Sequence, residues 1–117
     1  METEVLLMKN VIKRNGKEVK FDLSKIVHAI EKANKEVDPI YQLNAYQIQA
    51  AADSVVKKIQ TKSYAVNVEE IQDMVETAIM EMRGYEVAQK YVRYRYKREM
   101  ARKANSTDED ILALIDQ

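Results

Sequence analysis

Val11-Ile12-Lys13-Arg14-Asn15-Gly16-Lys17-Glu18-Val19-Lys20-Phe21-Asp22-Leu23-Ser24-Lys25-Ile26 is the stretch from which the rest of the chain is read. Asn15-Gly16 between two short strand-like runs signals a tight hairpin, because a type I′ turn needs positive φ at both central residues. With a two-residue loop, Lys13 faces Glu18 and Ile12 faces Val19. Alternation then puts Ile12, Val19 and Phe21 on one face, and Val11, Lys13, Glu18 and Lys20 on the other. Asp22 is a fitting N-cap for a helix that starts near Leu23. A lysine in the first turn of that helix runs against the macrodipole, and cations gathered at a helix N-terminus suit a phosphate chain. No glycine-rich loop accompanies them, so a solvated basic turn accounts for the same residues.

The remainder of the sequence sets the class. At 117 residues the chain holds one domain with one core, and two glycines and a single proline favour helices. The absence of cysteine excludes disulfides, thiol chemistry and thiolate zinc, and the lone His28 makes no metal cluster. No apolar run approaches the ~18 residues a membrane span requires, and no signal-peptide pattern opens the chain. A cytoplasmic protein is the expectation. The formal net charge of zero announces no nucleic-acid partner.

Periodicity predicts a helix over about 23–36 with Ile26, Ile30, Ala33 and Val37 inward, stopped by Asp38-Pro39. Asn44 and Gln47 form a capping-box pattern for a second helix reaching Lys58–Gln60, with Ile48, Ala51, Ala52, Val55, Val56 and Ile59 inward. Thr61–Val66 reads as a polar connector. Asn67 and Glu70 repeat the cap pattern for a third helix to about Arg83, whose face of Glu69, Glu70, Asp73, Glu76 and Glu81 reads as solvated. Gly84 fits the C′ position that ends it. A fourth helix covers Glu86 to about Lys103, where residues 83–103 carry eight cations interleaved with tyrosines. That composition suits phosphate binding and stacking on a base, and suits equally a basic helix paired with the acidic one. The polar run Asn105–Asp110 reads as a break with a new Ser-x-x-Glu cap, and Val5–Met8 as a further strand or anchor.

Residues 11–26, three amphipathic helices and the final Tyr91-Val92-Arg93-Tyr94-Arg95 together resemble the ATP-cone, a nucleotide-sensing domain of ribonucleotide reductases. The likeness covers about residues 9–103. Arg102–Glu109 resembles the junction into the catalytic barrel of the anaerobic, glycyl-radical reductases. The resemblance implies a mainly α (α+β) fold, a four-helix bundle capped by a small N-terminal β-hairpin. It implies a nucleotide-binding domain over 1–103 and, over 104–117, a linker toward a catalytic domain.

It also implies an allosteric role rather than a catalytic one: ATP or dATP, as an effector accompanied by Mg2+, binds under the cap and switches activity and oligomeric state of the parent reductase. Lys13 and Arg14 then approach the phosphates, Val19, Lys20, Phe21, Asp22 and Lys25 wrap the nucleotide, and Lys97 meets phosphate. Asp22 takes the adenine amino group, and Val68 lies on the ribose side through its backbone. Gln72 falls near it, where many relatives carry histidine. Implied partners are the rest of the reductase chain and its neighbouring subunits, with no membrane and no nucleic acid. The alternative is a nucleic-acid-binding module built on the Tyr/Arg helix at 86–103, with steeply salt-dependent binding.

Overall fold

The computed structural model describes residues 10–115, with side chains described for 10–104. The reading of Val5–Met8 lies outside the described residues. Three short strands, β1 (Asn10–Ile12), β2 (Glu18–Lys20) and β3 (Val66–Asn67), accompany four helices. These are α1 (Leu23–Lys35), α2 (Ala45–Gln60), α3 (Val68–Glu81) and α4 (Tyr85–Ile115), with a 3-10 turn at Pro39–Tyr41. The chain is mostly helical with a small N-terminal sheet in the order β2-β1-β3.

The turn between β1 and β2 departs from the expected one by a single residue. Val11 pairs with Val19 and Ile12 with Glu18. Lys13 N donates to Lys17 O at 2.8 Å, and Gly16 N donates to Lys13 O at 2.9 Å. The loop is therefore the three residues Arg14, Asn15 and Gly16, a tight turn followed by Gly16 in the left-handed region at φ 85°. Asn15 spends its side chain on the turn, its Oδ1 accepting from Lys17 N at 3.0 Å. A one-residue slip of register exchanges the faces of a strand. Val11, expected outward, is buried, and Val19 is 37% exposed.

The connector Thr61–Val66 hides a third strand. β3 pairs parallel to β1, with Val11 opposite Val66 and Ile12 opposite Asn67. Val66 is fully buried, and Asn67 caps α3 by accepting from Glu70 N at 2.8 Å. The strand runs directly into the helix, so the sheet fixes where α3 begins. The reciprocal half of that cap is diverted, because the Glu70 carboxylate accepts from Tyr64 Oη at 2.9 Å. Asn44 and Gln47 close both halves of theirs at the start of α2.

The helices pack in a cycle: α1 on α2, α2 on α3, α3 on α4, and α4 on α1. The apolar stripes meet in one core, where Ile30, Val55, Ile59, Val75, Ile79 and Val87 are sealed from solvent. Ala51 and Ala52, also fully buried, let α2 approach its neighbours closely. Asn34 pins the α1–α2 loop, its side chain accepting from Leu43 N at 2.8 Å and donating to Leu43 O at 2.9 Å.

Two helix ends differ from expectation. At the end of α3 the left-handed residue is Arg83, at φ 62°, and not Gly84. Arg83 N donates to Met80 O and Gly84 N to Ile79 O, the paired bonds of a Schellman motif with Arg83 at C′. Gly84 serves a different need: a Cβ there would stand 3.1–3.3 Å from the Leu43 side chain. The backbone of α4 then continues unbroken to Ile115, through the polar run at which a stop is expected.

Candidate functional site

The sheet lies over one end of the helices, and a cavity of about 220 Å³ opens beneath it. Lys13, Val19, Lys20, Phe21, Asp22, Lys25 and Val68, all expected at a site, line this single cavity. Its walls are otherwise apolar: Val11, Ile26, Ala29, Ile71, Val75 and Tyr91, with Gln72 at the edge. Register explains Val11. The observed pairing sets Val11 opposite Val19, so that Val11 and Lys13, which alternation with a two-residue loop placed on the other face from Val19, line the cavity with it.

Local chemistry positions these groups. Asp22 caps α1, its Oδ1 accepting from Ser24 N at 3.0 Å and Ser24 Oγ at 2.6 Å. The Ser24 hydroxyl bond, foremost, holds the Asp22 carboxyl below its ordinary value. The second carboxylate oxygen is the one left for another partner. Lys25 stands in the first turn of α1 and lines both this cavity and the next.

A second cavity, about 450 Å³, adjoins the first and shares Lys25, Ala29, Val68, Gln72 and Tyr91 with it. Its remaining lining is cationic and aromatic: Arg14, His28, Lys32, Tyr94, Arg95, Arg98 and Arg102. Lys32 Nζ and the Arg98 guanidinium carbon stand 5.9 and 5.7 Å from the centre of the Tyr94 ring. Arg98 also donates to Tyr94 Oη at 3.1 Å, and that bond foremost pulls the phenol below its ordinary value. Burial pushes Tyr91, at the seam between the cavities, up to about 12. An apolar slot thus opens into a cation-rich vestibule. Such a shape accepts a flat ring at one end and a chain of anions at the other.

Beside the vestibule runs an ion-pair clamp. Arg95 is 18% exposed, pairs with Glu76, Asp73 (3.0 Å) and Glu69 (3.3 Å), and donates from Nε to Gln72 Oε1 at 3.1 Å. Burial alone would lower Arg95, but the Glu76 and Asp73 hydrogen bonds outweigh it and raise it. Arg14 reaches from the β1–β2 turn to the same helix, donating to Gln72 Oε1 at 2.9 Å and pairing with Glu69. Desolvation, then the nearby Arg102 and Arg95, lower Arg14. The face of α3 expected to be solvated is therefore largely a receptor for two arginines. Its sequence signal is the run of carboxylates at helical spacing opposite a basic helix.

Arg14 lines the vestibule rather than the apolar slot, and Lys97 is exposed on α4 and lines neither cavity. Arg98 and Arg102 hold the cavity-facing positions on α4. Spacing could have found them: Tyr91, Arg95, Arg98 and Arg102 follow one another at four, three and four residues, and Tyr94 lies three after Tyr91. Among the described residues no three His, Asp or Glu side chains gather as metal ligands, and no helix is long and apolar enough to cross a membrane.

Comparison with known proteins agrees with this geometry. A family model described as the ATP cone domain matches residues 9–100. The chain is 33% identical over 109 residues to the anaerobic ribonucleoside-triphosphate reductase of Haemophilus influenzae, covering 92% of this chain and 15% of that protein. It is 38% identical over 101 residues to the vitamin B12-dependent ribonucleoside-diphosphate reductase of Thermoplasma acidophilum, covering 82% of this chain and 13% of that one. With the ribonucleoside-diphosphate reductase subunit alpha of Chlamydia trachomatis it shares 34% over 102 residues, covering 80% of this chain and 10% of the relative. The chain spans only a small part of the length of each relative, and the same part is matched in reductases of different substrate and cofactor names. With a model match over most of its residues, this chain belongs to the ATP-cone family.

Proposed function

We propose that the chain is the nucleotide-sensing domain of an anaerobic ribonucleoside-triphosphate reductase, in which ATP or dATP acts as an allosteric effector. In this reading the four helices form a bundle with the β1–β2 hairpin as its cap, and residues 104–117 lead toward the catalytic part of the parent chain. The single observation that supports it most is the apolar slot under the sheet, lined by Lys13, Val19, Lys20, Phe21, Asp22, Lys25 and Val68, and open to the cationic vestibule. Adenine fits the slot, where the uncapped oxygen of Asp22 accepts from its amino group. The phosphates extend toward Lys13, Lys25 and Arg14. The α4 cation that meets them is Arg98 or Arg102 in preference to Lys97.

The residues present suit such a ligand. Aliphatic and aromatic walls suit a purine, and a cluster of lysine and arginine suits polyphosphate. A magnesium ion would be held by the phosphates and water, its usual mode with nucleotides, since no carboxylate trio lines the cavities. ATP and dATP differ by one hydroxyl, so the switch requires that the ribose pocket, near Val68 and Gln72, favour one state of the domain with each. Arg95, one of the cations on which the nucleic-acid alternative rests, is spent inside the α3 clamp.

Isothermal titration of the 117-residue chain with ATP, dATP and adenosine tests the proposal. Binding in the micromolar to low-millimolar range is expected, with Lys13→Ala and Lys25→Ala weakening the triphosphates far more than adenosine. Absence of binding to both triphosphates refutes it. Equal loss of adenosine refutes the phosphate assignment, and Lys97→Ala set against Arg98→Ala decides between the two α4 cations.

A further inference from the structure

The cavity cations are not equally committed. Arg95 is fixed: its head is 18% exposed and is gripped by Glu76, itself only 23% exposed. Arg14 is held more loosely, at 29% exposure, by a Glu69 carboxylate that is 57% exposed. Arg14 lines the vestibule among Lys25, Lys32, Arg95, Arg98 and Arg102, yet its guanidinium is turned onto α3, where Glu69 and Gln72 supply the oxygens. Two oxygens received by one guanidinium are what a phosphate group would offer it.

We infer that Glu69 is an internal competitor for the ligand's phosphates, occupying Arg14 until a polyphosphate takes its place. The inference rests on the nucleotide reading and adds the residue that sets its affinity and its preference for longer phosphate chains. Exchange replaces the Arg14–Glu69 pair by an Arg14–phosphate pair. The released carboxylate has water on one side and Arg95 on the other, 3.3 Å from its second oxygen, so it is not stranded. The Gln72 bond steadies the guanidinium in either state. Because Arg14 sits in the β1–β2 turn and Glu69 in the first turn of α3, the same exchange reports at the sheet whether the vestibule is filled. Arg95 cannot play this part: its carboxylates include a half-buried one whose release would cost more than a phosphate contact returns.

Titrations of wild type, Glu69→Gln, Arg14→Gln and the double variant with ATP, inorganic tripolyphosphate and adenosine test the inference, with thermal unfolding recorded on each. Glu69→Gln is expected to tighten ATP and tripolyphosphate about three- to fivefold, the size of a partly exposed ion pair, and to leave adenosine unchanged. Glu69→Asp, which keeps the charge but shortens its reach, should give a smaller gain. In the Arg14→Gln background the gain should vanish. Unchanged or weaker ATP binding by Glu69→Gln overturns the inference, as does a gain that persists undiminished without Arg14. Failure of wild type to bind ATP while Glu69→Gln still tightens tripolyphosphate would sink the nucleotide reading alone.

Discussion

Arg95→Met separates the clamp from the cavity it borders. Methionine keeps a flexible apolar stem of similar reach and removes the guanidinium, so packing is largely retained. The partners then decide the magnitude. Asp73 and Glu69 are 72% and 57% exposed, and pairs with such groups are worth about 0–1 kcal/mol each. Glu76 is 23% exposed and loses the guanidinium it pairs with, so the loss falls mainly there. A hydrogen bond to a charged group contributes about 1.5–3 kcal/mol, and with some solvent still reaching Glu76 the lower part of that range applies. A total near 2 kcal/mol follows, a fall in Tm of roughly 8 °C for a domain of this size. The assay is urea unfolding of wild type, Arg95→Met, Glu76→Gln and the double variant. The cycle should return a coupling of about 1 kcal/mol or more, little reduced by molar salt because the pair is partly shielded from water. A loss under about 0.5 kcal/mol, or no coupling to Glu76, would falsify the claim that this contact organises the α3–α4 interface.

Other expectations can be checked on the same chain. Arg83→Gly should stabilise by about 0.5–1 kcal/mol in denaturant unfolding, because glycine removes the left-handed strain at C′. Gly84→Ala should destabilise by about 1 kcal/mol or more through the Leu43 contact, and a neutral result would show that the loop yields freely. Asp22 has a depressed folded value, so its increment of stability is complete above the ordinary 3.8 and is lost as pH falls through the folded value. Acid unfolding of Asp22→Asn should lack that increment. Tyr91 behaves oppositely: its stabilisation is whole below pH 10 and drains away toward about 12, so Tyr91→Phe should flatten the alkaline limb of the stability curve.

The helical part of the fold was legible because its stripes are long and its caps are local. Ile26-Ile30-Ala33 and Ile71-Val75-Ala78 carry a 3.6-residue period over several turns, and Asp22, Asn44 and Asn67 cap within three residues of themselves. What stayed hidden depended on a choice between near-equal local solutions or on distant partners. Asn15-Gly16 serves a two-residue or a three-residue turn, and only packing of Val11 against the helices selects the latter. Val66-Asn67 is too short to show alternation and becomes a strand by pairing with β1, more than fifty residues earlier. Gly84 looked like a cap because its real neighbour, Leu43, is forty-one residues away in sequence. The cavity lining was readable where it follows the motif from Lys13 to Lys25. The pairing of Glu69 with Arg14 and Arg95 was not, since α3 and α4 each look self-sufficient until their facing charges are seen together.

The unbroken backbone of α4 has a mechanical consequence. Tyr91, Arg95 and Arg98 border the cavities near its beginning, and the helix runs on to Ile115. At 1.5 Å per residue, Ile115 stands about 36 Å along the axis from Tyr91. A tilt of roughly 5° about the cavity would carry that far end some 3 Å sideways, and a helix lacking proline or glycine has no built-in joint to absorb it. The helix is thus a stiff lever with its short arm at the two cavities and its long arm pointing away from them.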